Sequence, residues 1–305
     1  VTFRTLYFIP HPPFTSSFWL RMPRIGPYTL HSIHAGYFAL DGGAMFGIVP
    51  KPLWERHIRA DDRNRIPLST RCLLLESSDR LVLVDNGIGD KEDAKFAEIY
   101  ALDYSRAELH RSLGEAGFSA EDVTDVILTH LHFDHCGGTT QRRGERLELT
   151  FPNARHYVQR AHWNWAMEPN ERERASFLPQ NLLPLGESGQ LYLVDGEQEI
   201  LPGISVLTVD GHTEAQQLVK VTGEEGSLVF VADLLPTTAH VRPVWVMAYD
   251  IRPLVSIAEK KEFLRRAAAE QWTLFFEHDP VTDIASVCEA ERGFTLTDER
   301  SLEDL

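Results

Sequence analysis

Runs of apolar residues separated by polar turns recur along most of this chain, and their spacing changes between two periods. Residues 28–40 (YTLHSIHAGYFAL), 70–76 (TRCLLLE) and 80–85 (RLVLVD) predict strands, the last closing on the turn signal Asp85-Asn86-Gly87. Residues 105–116 carry helical spacing with Gly117 as a stop, and Ser119-Ala120-Glu121-Asp122 opens a short helical turn before a strand over Asp125–Thr129. Further strands are predicted at LYLVD, ISVLTVD, LVKVT, SLVFVAD and TLFFEHD, with one long helix from about Leu254 to Gln271 between the last two. Residues 141–190 differ. A polar turn and the helix VQRAHWNWAME lead into a charged, proline-containing stretch that suits a surface excursion or lid. Two strand-rich halves with helices between them predict two sheets with helices outside, a layered α/β architecture.

The 305 residues fit one large domain or two small ones, and no internal repeat or low-complexity linker divides them. A single domain is placed at 28–290. Residues 1–27 are an N-terminal arm, with 1–21 either peripheral or an upstream extension, and 291–305 are an acidic tail expected to be loosely held. The start is aromatic and apolar but broken by Pro10, Pro12 and Pro13, so it is not read as a signal peptide. No apolar run reaches the roughly 20 residues that span a bilayer. The net charge of −15 disfavours a broad nucleic-acid surface. Cys72, Cys136 and Cys288 are too few for a disulfide framework and fit a reducing, cytoplasmic setting.

The chemistry concentrates in Thr129-His130-Leu131-His132-Phe133-Asp134-His135-Cys136-Gly137-Gly138. Three imidazoles and a carboxylate within six residues, directly after the apolar Val126-Ile127-Leu128, are difficult to explain as packing. Such a set suits zinc, and also iron or manganese. Cys136 reads as a small packing residue beside the cluster, and the two glycines permit a tight turn. Three later strand ends each deliver a further polar group: His212 in Gly211-His212-Thr213, Asp233 after SLVFVA, and His278 in His278-Asp279-Pro280. Any one of these alone is ordinary turn chemistry. Together with the first cluster they make five histidines and two aspartates, the donor set two metal ions need.

The ordered motifs HLHFDH, GHT, AD and EHD resemble the metallo-β-lactamase superfamily over about residues 28–285. The resemblance implies a four-layer αβ/βα sandwich. It implies one metal on His130, His132 and His212, a second on Asp134, His135 and His278, and Asp233 bridging both. Asp85 matches a family aspartate and is expected to support a ligand from behind. The stretches GGAMFGIVPKPLW, CLLLE and DLLPTTAH resemble the quorum-quenching lactonase-like branch. That branch implies a hydrolase opening acyl-homoserine lactones or similar compounds through a hydroxide between two divalent metals, zinc first, with iron, manganese or cobalt as alternatives. Asp134 or Asp233 would relay the proton. The competing activities are phosphotriester or aryl-ester hydrolysis, glyoxalase II-type thioester cleavage and an iron-dependent persulfide dioxygenase.

Two departures qualify the resemblance. Several lactonases carry a tyrosine three residues after the bridging aspartate; here Pro236 stands there, and Thr237, Thr238 or His240 are the substitutes, unless the role is absent. Asp210 before GHT, and Glu214-Ala215-Gln216 after it, weaken the likeness to glyoxalase II. The substrate is expected to have an apolar portion, with Met45, Phe46, Trp54, Trp163, Trp165, Trp245, Met247 and Tyr249 in segments that can rim the site, although most such aromatics are core residues. A homodimer through the GGAMFG region is a further expectation of the resemblance, with no nucleic-acid or membrane partner.

Overall fold

The computed structural model describes residues 22–305; the proposed peripheral segment 1–21 lies outside the described residues. Strands β1 (Arg24–Ile25), β2 (Tyr28–Asp41), β3 (Arg65–Glu76), β4 (Leu81–Val84) and β5 (Asp125–Ile127) come first. A small hairpin, β6 (Thr140–Arg143) and β7 (Arg146–Leu149), precedes β8 (Arg155–Gln159) and β9 (Leu191–Val194). The second half holds β10 (Gln198–Leu201), β11 (Ile204–Val209), β12 (Gln216–Gly223), β13 (Gly226–Phe230), β14 (Thr273–Phe275), β15 (Ile284–Ala290) and β16 (Gly293–Arg300). They form two seven-stranded sheets, ordered β1-β2-β3-β4-β5-β8-β9 and β10 through β16 in sequence. The first sheet is antiparallel at its β1–β4 end and parallel from β4 through β9.

The side-chain alternation of single strands explains the layering. Leu73 and Leu75 of β3 and Val82 and Val84 of β4 join one core with Val219, Leu228, Phe230 and Leu274 of the second sheet. Their neighbours Cys72, Leu74, Leu81 and Leu83 face the other way, onto Leu109, Leu113, Leu182 and Leu185 of the helices. Strands buried on both faces read as continuous apolar runs. On the far side, the helix Pro253–Ala269 sets Phe263, Leu264 and Ala267 against the second sheet. The sequence is therefore helix layer, sheet, sheet, helix layer, as the sandwich reading requires.

Several predicted boundaries move. The helix predicted over 105–116 spans only Leu109–Glu115, because the Glu108 carboxylate accepts from the amides of His110 and Arg111 and starts the helix there. Part of the predicted 141–190 excursion is interior: β8 lies between β5 and β9, and only its first residue is exposed. Arg24 and Ile25, assigned to the arm by sequence, pair with Thr29 and Tyr28, and Ile25 is buried. The expectation of a loose acidic tail is corrected: β16 pairs with β15, and beyond it Leu302 is buried with its amide donating to Asp283. Charged residues on an edge strand leave the alternation visible only at Phe294 and Leu296, too short a signal against a polar background.

The glycines after the histidine cluster act through contact rather than turn conformation. A Cβ on Gly137 would sit 2.0 Å from the Ile88 carbonyl oxygen, and one on Gly138 2.2 Å from that of Asn86. Two loops thus touch backbone to backbone beneath the site. Gly138→Ala is expected to lower stability in urea by about 1–3 kcal/mol, the usual size of an overpacking penalty. A variant as stable as the parent would show that these loops can separate freely.

Candidate metal centre

Each predicted ligand leaves the end of a sheet strand. β5 runs into His130 and His132, and the short helix Phe133–Cys136 carries Asp134 and His135. β11 leads to His212, β13 to a single turn holding Asp233, and β14 to His278. The four chain segments converge at the same edge of both sheets, and all seven side chains are buried. They form two groups, His130–His132–His212–Asp233 and Asp134–His135–His278, the donor atoms in each lying within 4.8 Å of one another.

The outer ring atoms decide what the inner ones offer. His278 Nδ1 lies 2.8 Å from the Ser69 carbonyl oxygen, which can only accept, so Nδ1 holds the proton and Nε2 the lone pair. His212 Nδ1 donates to the Asp250 carboxylate at 3.0 Å. His135 Nδ1 meets two carboxylates, Asp85 at 3.0 Å and Glu277 at 2.9 Å. The Thr129 hydroxyl donates to Asp85 at 2.6 Å, so its oxygen is free to accept from His130 Nδ1 at 3.1 Å. His132 is reversed, with Nδ1 inward and Nε2 3.6 Å from Glu173.

The inward nitrogens crowd one another. His132 Nδ1 is 3.1 Å from both His130 Nε2 and His212 Nε2, and His135 Nε2 is 3.1 Å from His278 Nε2. Two lone pairs at that distance repel unless a proton or a cation lies between them. A tetrahedral metal with nitrogen ligands at about 2.0–2.1 Å sets them roughly 3.3 Å apart. Asp233 spans both groups, Oδ2 at 3.1 Å from His212 Nε2 and Oδ1 at 3.2 Å from His278 Nε2, yet buried Oδ1 makes no hydrogen bond. This donor set fits divalent metal.

Without a cation, protons take its place. Burial works against charging His212 and His278, but the Asp233 carboxylate overrides it and drives them up to about 10 and about 9. His130, fully buried and surrounded by the imidazoles of His135, His132 and His212, is pushed well down although the Asp233 carboxylate lies 3.9 Å away. Burial pushes the Cys136 thiol up to about 12, and its Sγ donates to the Leu131 carbonyl, which bears out the packing reading.

Three residues behind the ligands escaped the sequence reading. Glu173, in the excursion, accepts from Trp165, Asn170 and Thr213 and stands beside His132; these partners bring its carboxyl down to about 2 despite burial. Asp250 orients His212. Glu277 shares His135 with Asp85, and burial raises it to about 8. Nothing in the sequence separates Glu173 from the neighbouring Glu171, but the position of Glu277 beside His278 was a usable signal.

A cavity of about 280 Å³ opens over the cluster. Of the predicted rim residues, Met45, Met247 and Tyr249 line it. Phe46, Trp54 and Trp245 are buried in the adjoining core, and Trp163 and Trp165 pack on the helix side of the first sheet. The suggested substitutes for the residue at 236 are engaged elsewhere. His240 bonds Thr237 and the Met45 carbonyl, and Thr238 bonds Asp279.

Strand-end ligands at the mouth of a two-sheet sandwich form a candidate metal centre. Residues 65–278 match the family model described as metallo-beta-lactamase superfamily, and the chain belongs to that superfamily. An N-acyl homoserine lactonase from Bacillus cereus is 28% identical over 228 residues, 71% of this chain and 83% of the relative. The crystal structure of a probable metal-dependent hydrolase from Staphylococcus aureus superposes with a TM-score of 0.82 at 31% identity, covering 91% of this chain and all (100%) of that one. A dizinc quorum-quenching lactonase in complex with a homoserine product shares the fold at a TM-score of 0.77 and 23% identity, over 91% of this chain and 96% of its own. Among the described residues no helix is long and apolar enough to cross a membrane.

Because His212 and His278 hold protons at pH 7 in the metal-free protein, a cation must displace them. Apparent metal affinity is therefore expected to rise with pH until it passes about 9 and about 10, and to fall toward acid. Zinc added to metal-free protein in weak buffer at pH 7 should release protons, followed with a pH indicator. Binding without release would mean that these nitrogens are not the donors.

Proposed function

We propose that this protein is a lactone hydrolase that opens acyl-homoserine lactones or close analogues with two divalent metal ions, zinc first. The observation that carries the reading is the convergence of the two ligand groups on Asp233 at the floor of the cavity. His130, His132 and His212 would hold one ion and Asp134, His135 and His278 the other, with Asp233 touching both. Bound there, a divalent ion supplies Lewis acidity and lowers the pKa of water toward neutrality.

The chain's own contribution is positional. Leu40, Met45, Phe133 and Met247 give the cavity an apolar wall for an acyl chain. His132, Asp134, His212, Asp233 and His278 line the same space, so a reacting ester bound there meets the ligand cluster directly. Asp233 and Asp134 are the carboxylates within reach of a proton lost by attacking water or gained by the leaving alkoxide. For a lactone that alkoxide stays tethered to the acyl product, so both ends of the cleaved bond remain in the same cavity. The Bacillus cereus relative acts on this substrate class by its name, which supports the same choice here.

Acid release from an N-acyl homoserine lactone by zinc-loaded protein tests the reading. Turnover is expected, and Asp233→Asn should reduce kcat/KM by about 10²-fold or more. His132→Ala should lose both zinc and activity; full activity with full metal content would overturn the assignment. Hydrolysis of phosphotriesters or aryl esters, with lactones untouched, would move the substrate class to those esters.

A further inference from the structure

The cavity contains more hydroxyl groups than the ligand cluster accounts for. Apart from the ligands, its polar side chains are Tyr100, Arg172, Glu173, Ser176 and Tyr249. Glu173 is engaged by Trp165, Asn170 and Thr213. Arg172 donates to the carbonyls of Ala248 and Asp250 and so belongs to the frame of the cavity. Three hydroxyls remain, and they differ in how they are held.

Tyr249 sits on a segment fixed from several sides. The Ala248 amide donates to the Ala44 carbonyl at 2.7 Å, and the Ile251 amide to the His212 carbonyl at 3.2 Å. Its neighbour Asp250 is bonded to His212 Nδ1 at 3.0 Å. The bonds that aim His212 at the cluster therefore also fix the backbone carrying the Tyr249 ring. The phenol itself finds no hydrogen-bond partner among the described residues, although it lies within range of the charges on both Asp134 and Asp233. Partial burial, together with Tyr100 and the carboxylates of Asp134, Asp41 and Asp233, pushes it above the usual phenol range, so it keeps its proton near neutral pH and can donate.

The alternatives are less well placed. Tyr100 ends the helix Ala94–Tyr100, its ring packs on Phe96 at 4.5 Å and Phe133 at 4.9 Å, and of the two carboxylates it senses Asp134 alone. Ser176 lies on the excursion and has a far shorter reach. A donor that lines the cavity above the ligand cluster, carried on a fixed backbone segment and without an internal partner, is free to bond a substrate oxygen there.

We propose that Tyr249 is a catalytic residue of this site, its phenol O–H donating a hydrogen bond to an oxygen of the ester group under attack. The proposal rests on the hydrolase reading of the same cavity. No proton is transferred: the phenol remains protonated throughout and stabilises charge as it grows on that oxygen.

The test compares zinc-loaded wild type with Tyr249→Phe, Tyr100→Phe and Ser176→Ala on an N-acyl homoserine lactone and an aryl ester, with zinc content and Tm measured on each. Tyr249→Phe should keep its zinc and its Tm while kcat falls about 10- to 100-fold, and KM should change little, as for a donor used mainly in the transition state. The loss should be constant between about pH 6 and pH 9, because the phenol does not titrate there. Retained kcat, a loss that follows Tyr100 or Ser176 instead, or a loss explained by missing zinc would each overturn the assignment of Tyr249. Wild-type protein inactive on both substrates would instead overturn the hydrolase reading and this inference with it.

Discussion

The structure turns on one electrostatic problem. Five imidazole lone pairs and two carboxylates are buried at one point, with nitrogen pairs at 3.1 Å. Left alone, such a cluster repels itself or collects protons, and burial raises the cost of either. The surrounding protein is arranged to hold the lone pairs inward despite that cost. Carbonyl, hydroxyl and carboxylate partners on the outer ring nitrogens fix the tautomers of four of the five histidines. A cation is the one occupant that turns every inward donor from a liability into a ligand.

The two-sheet architecture follows from the same demand. A ligand set drawn from four distant chain segments needs rigid supports that end at a common place. β5, β11, β13 and β14 provide them, two sheets meeting across a core that includes Ile127, Val209, Phe230 and Phe275. The last residues of these strands are anchored in packed apolar surface, so the loops that follow need be only a few residues long. Backbone contact at Gly137 and Gly138 then fixes the height of the histidine loop.

How much of this could be read from sequence depended on distance along the chain. The ligands were legible because each follows an apolar run and because three of the histidines share one short motif. The inner layering was legible in β3, β4 and β13, where both faces are apolar. The edge strands were not: β10 and β16 carry charged residues on their open sides, and their registers are set by neighbours rather than by their own pattern. The outer partners of the histidines were the least visible. Asp250 and Glu173 are single carboxylates in ordinary loops, and only tertiary contact distinguishes them from solvent-facing ones. Tyr249 was picked out as a rim residue, yet so were five aromatics that proved to be packing, since size and polarity alone do not reveal which face of a loop a ring occupies.

Cavity and cluster are parts of one framework. Glu173 belongs to the segment that also contributes Arg172, Ala175 and Ser176 to the cavity wall, and it touches both His132 and Thr213, the residue after His212. Asp250 closes the opposite wall and orients His212 from behind. Arg172 ties the two walls to each other through the carbonyls of Ala248 and Asp250. A displacement of either wall therefore moves the support of a ligand, and a change in ligand position moves the wall. Diversification of substrate within such a site is constrained to residues that lack these ties. Leu40, Met45 and Met247 line the cavity with apolar side chains that make no hydrogen bonds, so replacing them breaks no hydrogen bond behind the imidazoles. The polar residues of the wall are held in place by the cluster they support.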